Sequence, residues 1–327
     1  MKFPRISFPI RLSFYALLGV AVYQCISGQP RLGRMPTRQE AVGDTSKLTA
    51  MERVAFEDDA AFFQPIRKPD AMDWLAQHEE GGQTVEEYRA ALSALKPTPQ
   101  QTRLCVLPLG EFNADKAPSL DKLREYCTAF FGMKTLILEP VVLDKVPAKR
   151  RTNKNTQKLQ LLTTDILNWL PSRKPRDAYA IIAVTMEDLY PDEKWNFVFG
   201  QATLHGGAGV FSFARYDPAF YGEAWNNQTR ELMMRRSCKV LSHEMGHMFG
   251  IMHCVFFECL MNGSNHLGET DARPMHLCPV CLRKLQLGGG FDLLRREESL
   301  LKFYETNAIK DEAGWSGRRV EKMRAAK

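Results

Sequence analysis

Beyond residue 101, short apolar runs alternate with stretches of helical period. RLCVLPLG (103–110) is apolar and closed by glycine, which predicts a buried strand. SLDKLREYCTAFFG (119–132) carries apolar residues at 120, 123, 126, 127, 130 and 131, a helical period with a glycine stop. KTLILEPVVL (134–143) is strand-like. NTQKLQLLTTDILNWL (155–170) sets Leu159, Leu162, Ile166 and Leu170 on one face and predicts a helix. DAYAIIAVTME (177–187) predicts another apolar strand. This β-α-β-α-β order predicts an α/β fold with a mixed, mostly parallel twisted sheet and helical crossovers. EKWNFVFGQA (193–202) and GVFSFARY (209–216) follow with no helix between them, so the sheet gains a hairpin or an antiparallel edge strand. NNQTRELMMRRSCKVLSHEMGHMFG (226–250) is the next helix, with Gly250 as its stop.

The flanks read differently. Residues 29–50 are polar with Pro and Gly, as in a linker. Residues 51–95 show weak helical patterns; in TVEEYRAALSAL (84–95), Thr84 and Glu87 form a capping box. KPTPQQ then breaks the chain, so residues 29–100 read as linker and helical N-terminal region, and 101–290 as the compact domain. Residues 291–327 read as a helical, then basic tail, loose at its end. The first 28 residues place Lys2, Arg5 and Arg11 before the uncharged LSFYALLGVAVYQCISG (12–28). That is the layout of a secretory signal or N-terminal membrane anchor, favouring export or anchoring over a cytoplasmic location. A helix covering the domain is the alternative.

Composition adds little. Hydrophobic residues make up 44% and charged residues 25%, an ordinary globular balance. The net charge of +6 is scattered, and the basic run AKRRTNKNTQK (148–158) has no interleaved aromatics. It reads as a solvated loop, and no nucleic-acid partner is expected. A monomer is expected.

The chemistry concentrates in HEMGHMFGIMHC (243–254). His243 and His247 are i and i+4 on one helix, so both imidazoles project from one face and can hold one ion. Glu244 lies about 100° around the helix, where it can reach a metal-bound water. Zinc lowers the pKa of such a water to about 7, and the carboxylate takes its proton. Gly250 lets the chain double back and aim His253 as the third ligand, leaving the fourth position open. Three of the seven histidines fall within the eleven residues 243–253, which argues against incidental core histidines.

Cys254, Cys259, Cys278 and Cys281 follow with four, 18 and two intervening residues. A CPVC turn after a distant cysteine pair is a zinc-ribbon-like pattern and predicts a closed, structural site. Disulfides or free thiols are the alternative. Two zinc ions per chain are therefore expected, one catalytic and one structural.

HExxHxxGxxH followed by a methionine turn, with Met261 in CLMNG, is the metzincin signature. Together with CLMNGSNHLGETDARPMHLCPVCLRKL, DLYPDEKWNFVFGQA (188–202) and GVFSFARY, it resembles the archaemetzincins over about residues 100–290. The resemblance implies a compact metzincin-like domain with an active-site helix, a catalytic zinc on His243, His247 and His253, and Glu244 as base. It also implies a structural zinc on the four cysteines, and a peptide or protein substrate laid along an edge strand. AGVFSFARY (208–216) is nominated as that strand or its neighbour; an interior strand is the equal alternative. The apolar N-terminus, with its scope for membrane association through residues 12–28, departs from the family pattern. The expected function is that of a zinc metallopeptidase. The alternatives are a zinc-stabilised peptide-binding protein with little turnover and a zinc hydrolase of a non-peptide amide. His205, His266 and His276 are not expected to ligate.

Overall fold

Strand β5 (Ala178–Thr185) is buried at every position, and the main sheet is built around it. The structure is a computed structural model that describes residues 33–113, 116–203, 207–224 and 226–327. The sheet order is β2 (Lys134–Ile137), β1 (Arg103–Leu109), β5, β8 (Ala208–Ser212), β7 (Gly200–Ala202). The first four strands run parallel, and β7 pairs antiparallel with β8 at the end of the sheet. The mostly parallel sheet expected from the alternating pattern is therefore present. Helix α5 (Leu120–Phe131) crosses from β1 to β2 and stops at Gly132 in the left-handed region.

Alternate residues of the central strands feed two cores, as the strand period of two requires. Leu104, Val106, Ile182 and Val184 face one, and Cys105, Leu107, Ile181 and Ala183 face the other. The first face carries the long helix α7 (Asn227–Met248). Gly209 on β8 permits the close approach, since a Cβ there would overlap Met248 Cε. The hydroxyl of Tyr179 donates to the Met248 carbonyl at 2.9 Å and pins the helix end.

One sequence expectation gives way to tertiary pairing. Residues 155–170 are not one helix: β4 (Leu159–Leu162) is a strand, and α6 (Thr163–Trp169) begins only after it. β4 pairs antiparallel with β3 (Arg150–Thr152) and parallel with β6 (Asp188–Tyr190), and ladder bonds outweigh the helical spacing of its leucines. β8 is an interior strand; the end of the sheet is its neighbour β7. The bidentate Arg215–Asp188 pair, both N···O distances 2.8 Å and both side chains buried, ties the turn after β8 to β6.

The N-terminal helices α1 (Arg38–Val42), α2 (Ala50–Phe56), α3 (Trp74–Gln77) and α4 (Val85–Leu95) do not lie outside the domain. Capping boxes on Thr37, Thr49 and Thr84 start three of them. Val42, Phe56, Val85 and Tyr88 join the main core. Each helix is too short to display a convincing period alone, and each buries its apolar residues against distant chain. After α8 (Leu267–Ala272), helices α9 (Pro279–Gly289), α10 (Leu293–Thr306) and α11 (Lys310–Ala325) complete the fold. The tail expected to be loose is packed: Arg319 of α11 is 1% exposed and donates to the Ala55 carbonyl at 2.8 Å. The apolar segment 12–28 lies outside the described residues. Among the described residues no helix is long and apolar enough to cross a membrane.

Candidate metal centres

Helix α7 delivers His243 and His247 one turn apart, both buried. The helix then unwinds through Gly250, whose φ of 78° suits glycine. The Gly250 amide donates to His247 O at 2.8 Å and that of Ile251 to Gly246 O at 3.1 Å. This reversal brings His253 back, so that one ligating nitrogen from each of the three histidines lies within 4.8 Å of the others.

The second nitrogen of each ring is already committed. Nδ1 of His243 donates to the Leu260 carbonyl (3.0 Å), Nδ1 of His247 to the Ile251 carbonyl (2.7 Å), and Nδ1 of His253 to Glu80 Oε1 (2.7 Å). These bonds fix the tautomer that leaves each Nε2 lone pair to accept a ligand. The Nε2 atoms of His243 and His247 are 3.0 Å apart. Two nitrogens on one tetrahedral zinc at 2.0–2.1 Å would be separated by roughly 3.3 Å, so the donor set fits zinc. Burial, and then the neighbouring imidazoles, push His243 and His247 well below the ordinary histidine range. Both are neutral, as ligation requires.

Glu244 is 1% exposed. With His243, Tyr216, Arg273 and Gly200 it lines a cavity of about 30 Å³, room for a water molecule. Beneath the histidines lies Met261, fully buried; a Cβ on Gly246 would stand 2.6 Å from its sulfur, so helix and methionine turn pack backbone to side chain.

The second centre begins at the residue that follows His253. The sulfurs of Cys254, Cys259, Cys278 and Cys281 are buried and lie within 4.8 Å of one another. Cys254 and Cys278 Sγ are 3.6 Å apart, far from the ~2.05 Å of a disulfide. The Cys259 sulfur accepts from the amides of Met261 (3.4 Å) and Cys278 (3.3 Å). Burial pushes the Cys259 and Cys278 thiols well up; at Cys254 burial is outweighed by hydrogen bonds from the other three thiols, which pull it down. Ionising all four together calls for a cation among them, which suits a closed tetrahedral zinc site. Cys25 lies outside the described residues.

The two centres share one loop. The Cys254 amide donates to Met261 O at 2.8 Å, and Asn262 Nδ2 donates to the carbonyls of Cys254 and Phe257 at 2.7 and 2.9 Å. The same loop presents the Leu260 carbonyl to His243. Chain from the N-terminal region braces it, with a bridge between Pro65 and Phe257.

Several residues at the site were not singled out by the motif. Glu80 on His253 and Trp74, whose ring meets that of His253 edge-on at 5.2 Å, come from the N-terminal region. Gln83 donates to Gly250 O at 3.2 Å, and the Tyr88 hydroxyl to Phe249 O at 2.9 Å, clamping the turn before His253. The contact from Glu80 spans 173 residues, and nothing in HEEGGQT announces it. Arg273 and Tyr216 were equally silent, although Tyr216 closes the quoted FARY segment. Of the other histidines, His266 caps α8 and bonds Asp73 at 3.1 Å, and His276 stacks on Trp315 at 3.7 Å. His205 lies outside the described residues.

A profile of Peptidase family M54 matches residues 130–287. Archaemetzincin-2 of Macaca fascicularis is 38% identical over 294 residues, covering 81% of this chain and 82% of that protein. Archaemetzincin-2 of Homo sapiens is 36% identical over 294 residues, with 81% and 82% covered. The crystal structure of archaemetzincin from Methanopyrus kandleri is 26% identical and aligns with a TM-score of 0.46, covering 60% of this chain and 99% of that one.

Proposed function

This chain belongs to the archaemetzincin family of zinc metallopeptidases, and from that premise we propose that it hydrolyses peptide bonds at His243, His247 and His253, with Glu244 as general base. The observation that carries this reading is the convergence of three imidazoles, each with Nδ1 already bonded, beside a buried carboxylate. A zinc ion held there supplies Lewis-acid polarisation of water and of the scissile carbonyl. Glu244 takes a proton from the attacking water as its oxygen joins the carbonyl carbon. It returns that proton to the amine nitrogen as the C–N bond breaks. The Leu260 and Ile251 carbonyls and the Glu80 carboxylate hold the three rings in register throughout. Cys254, Cys259, Cys278 and Cys281 hold a second zinc, which is structural and stiffens the loop behind His243.

The substrate is a peptide in extended form that adds alongside β7, the last strand in the sheet order. Phe199 and Gly200 line the cavity with Glu244, so a strand laid there passes the base directly. The test is turnover of a quenched-fluorescence peptide library by the zinc-loaded protein. Cleavage that a chelator abolishes and zinc restores is expected. Peptide binding without any turnover at full zinc loading would replace this reading with that of a binding protein.

A further inference from the structure

The hydrolysis proposed above builds negative charge on the scissile carbonyl oxygen, and a buried phenol lines the cavity beside Glu244. Most polar groups lining it are committed. Ser264 Oγ and Thr270 Oγ1 bond each other at 2.7 Å. The Arg273 guanidinium donates to Asn262 O and, at 3.2 Å, to Thr270 Oγ1. Nδ1 of His243 is bonded to Leu260 O. The Tyr216 hydroxyl differs: the residue is 1% exposed, and among the described residues nothing bonds that oxygen.

We propose that Tyr216 is a catalytic residue whose phenol donates to the scissile carbonyl oxygen as charge develops there. The fold holds the ring in place for this. It lies in the turn that follows β8, its ring stacked on Phe199 with centroids 5.6 Å apart and planes 20° from parallel. Its amide donates to Phe213 O at 3.0 Å. Its carbonyl accepts from Arg236 Nη1 at 3.0 Å, and Arg236 is itself gripped by Asp271 at 2.9 and 2.6 Å. Phe199 precedes Gly200 of β7, so the stack couples the phenol to the strand that aligns the peptide. Burial, and then the charge of Glu244, raise the phenol well above its ordinary range, so it remains a donor at every working pH. A donor fixed in advance of the charge it meets costs little reorganisation during the reaction.

This inference rests on the peptidase reading, and its test separates the two. Wild type and Tyr216→Phe, both zinc-loaded, are compared on the best-cleaved library peptide and on a phosphinic pseudopeptide of the same sequence. The tetrahedral anion of the latter imitates the reacting centre. The expected result is a fall in kcat of about 10²–10³-fold with little change in KM, the effect of removing one oxyanion donor. Phosphinate affinity should fall in parallel, while zinc content is kept. The melting temperature should not drop, because the lost hydroxyl has no partner to strand. Equal kcat and equal phosphinate affinity would overturn the role, and so would a lowered melting temperature with lost zinc, which marks a structural group. A wild type that neither cleaves the library nor binds the phosphinate would overturn the peptidase reading and this inference with it. If wild type does both and the variant matches it, the role of Tyr216 alone falls.

Discussion

Glu244→Gln abolishes hydrolysis and leaves both zinc sites filled. The amide keeps the volume of a side chain that is 1% exposed, so the packing of α7 around His243 and His247 is preserved. What it loses is a site for the proton of the attacking water. A positioned base is worth about 10²–10⁴ in rate, and here the same carboxylate also returns the proton to the amine, so the loss should reach the upper end. Steady-state turnover on the library peptide, beside elemental analysis of the same preparation, checks both halves. Retained turnover would remove Glu244 as the base. Loss of zinc would show that the side chain helps hold the ion instead.

Cys278→Ser should do more damage to the fold than to any single step. A serine hydroxyl is a poor replacement for a thiolate, and the remaining three buried sulfurs keep their desolvation cost with less of the charge that offsets it. Structural zinc contributes about 10–16 kcal/mol of apparent binding in small zinc domains, and whole domains are stable by only about 5–15 kcal/mol. Release of that ion should therefore collapse soluble yield or lower the melting temperature steeply. The damage should spread. Cys254 follows His253 in sequence, and the loop from Cys254 to Asn262 carries the Leu260 carbonyl that orients His243 and the methionine that packs under Gly246. Zinc affinity at the histidines should fall with the loop. Two zinc ions per chain after the substitution would refute the four-cysteine site.

Much of this was legible from residue order alone. The strand–helix alternation gave the parallel sheet because each of β1, α5 and β5 carries a complete local signature: a buried run, or a period with a glycine stop. The ligand candidates were legible because an i, i+4 pair on a helix and a glycine that reverses the chain are local geometry. The brace around them was not. Glu80 reaches His253 across 173 residues, and Gln83, Tyr88 and Trp74 arrive from a region whose short helices carry no strong period. β4 misled because Leu159 and Leu162 fit a helix that extends through Ile166, while only its partners β3 and β6 reveal a strand. β8 looked equally like an edge or an interior strand because both are apolar; the pairing with β7 decides it.

The measurement that bears most directly on the account is zinc per chain by elemental analysis, on wild type beside the His243→Ala/His247→Ala double variant. The account predicts two ions in wild type and one in the variant, with the fold kept by the cysteine-held ion. One ion in wild type that survives both substitutions would contradict it, since the histidines would then hold no metal as isolated and the chain would have no hydrolytic centre.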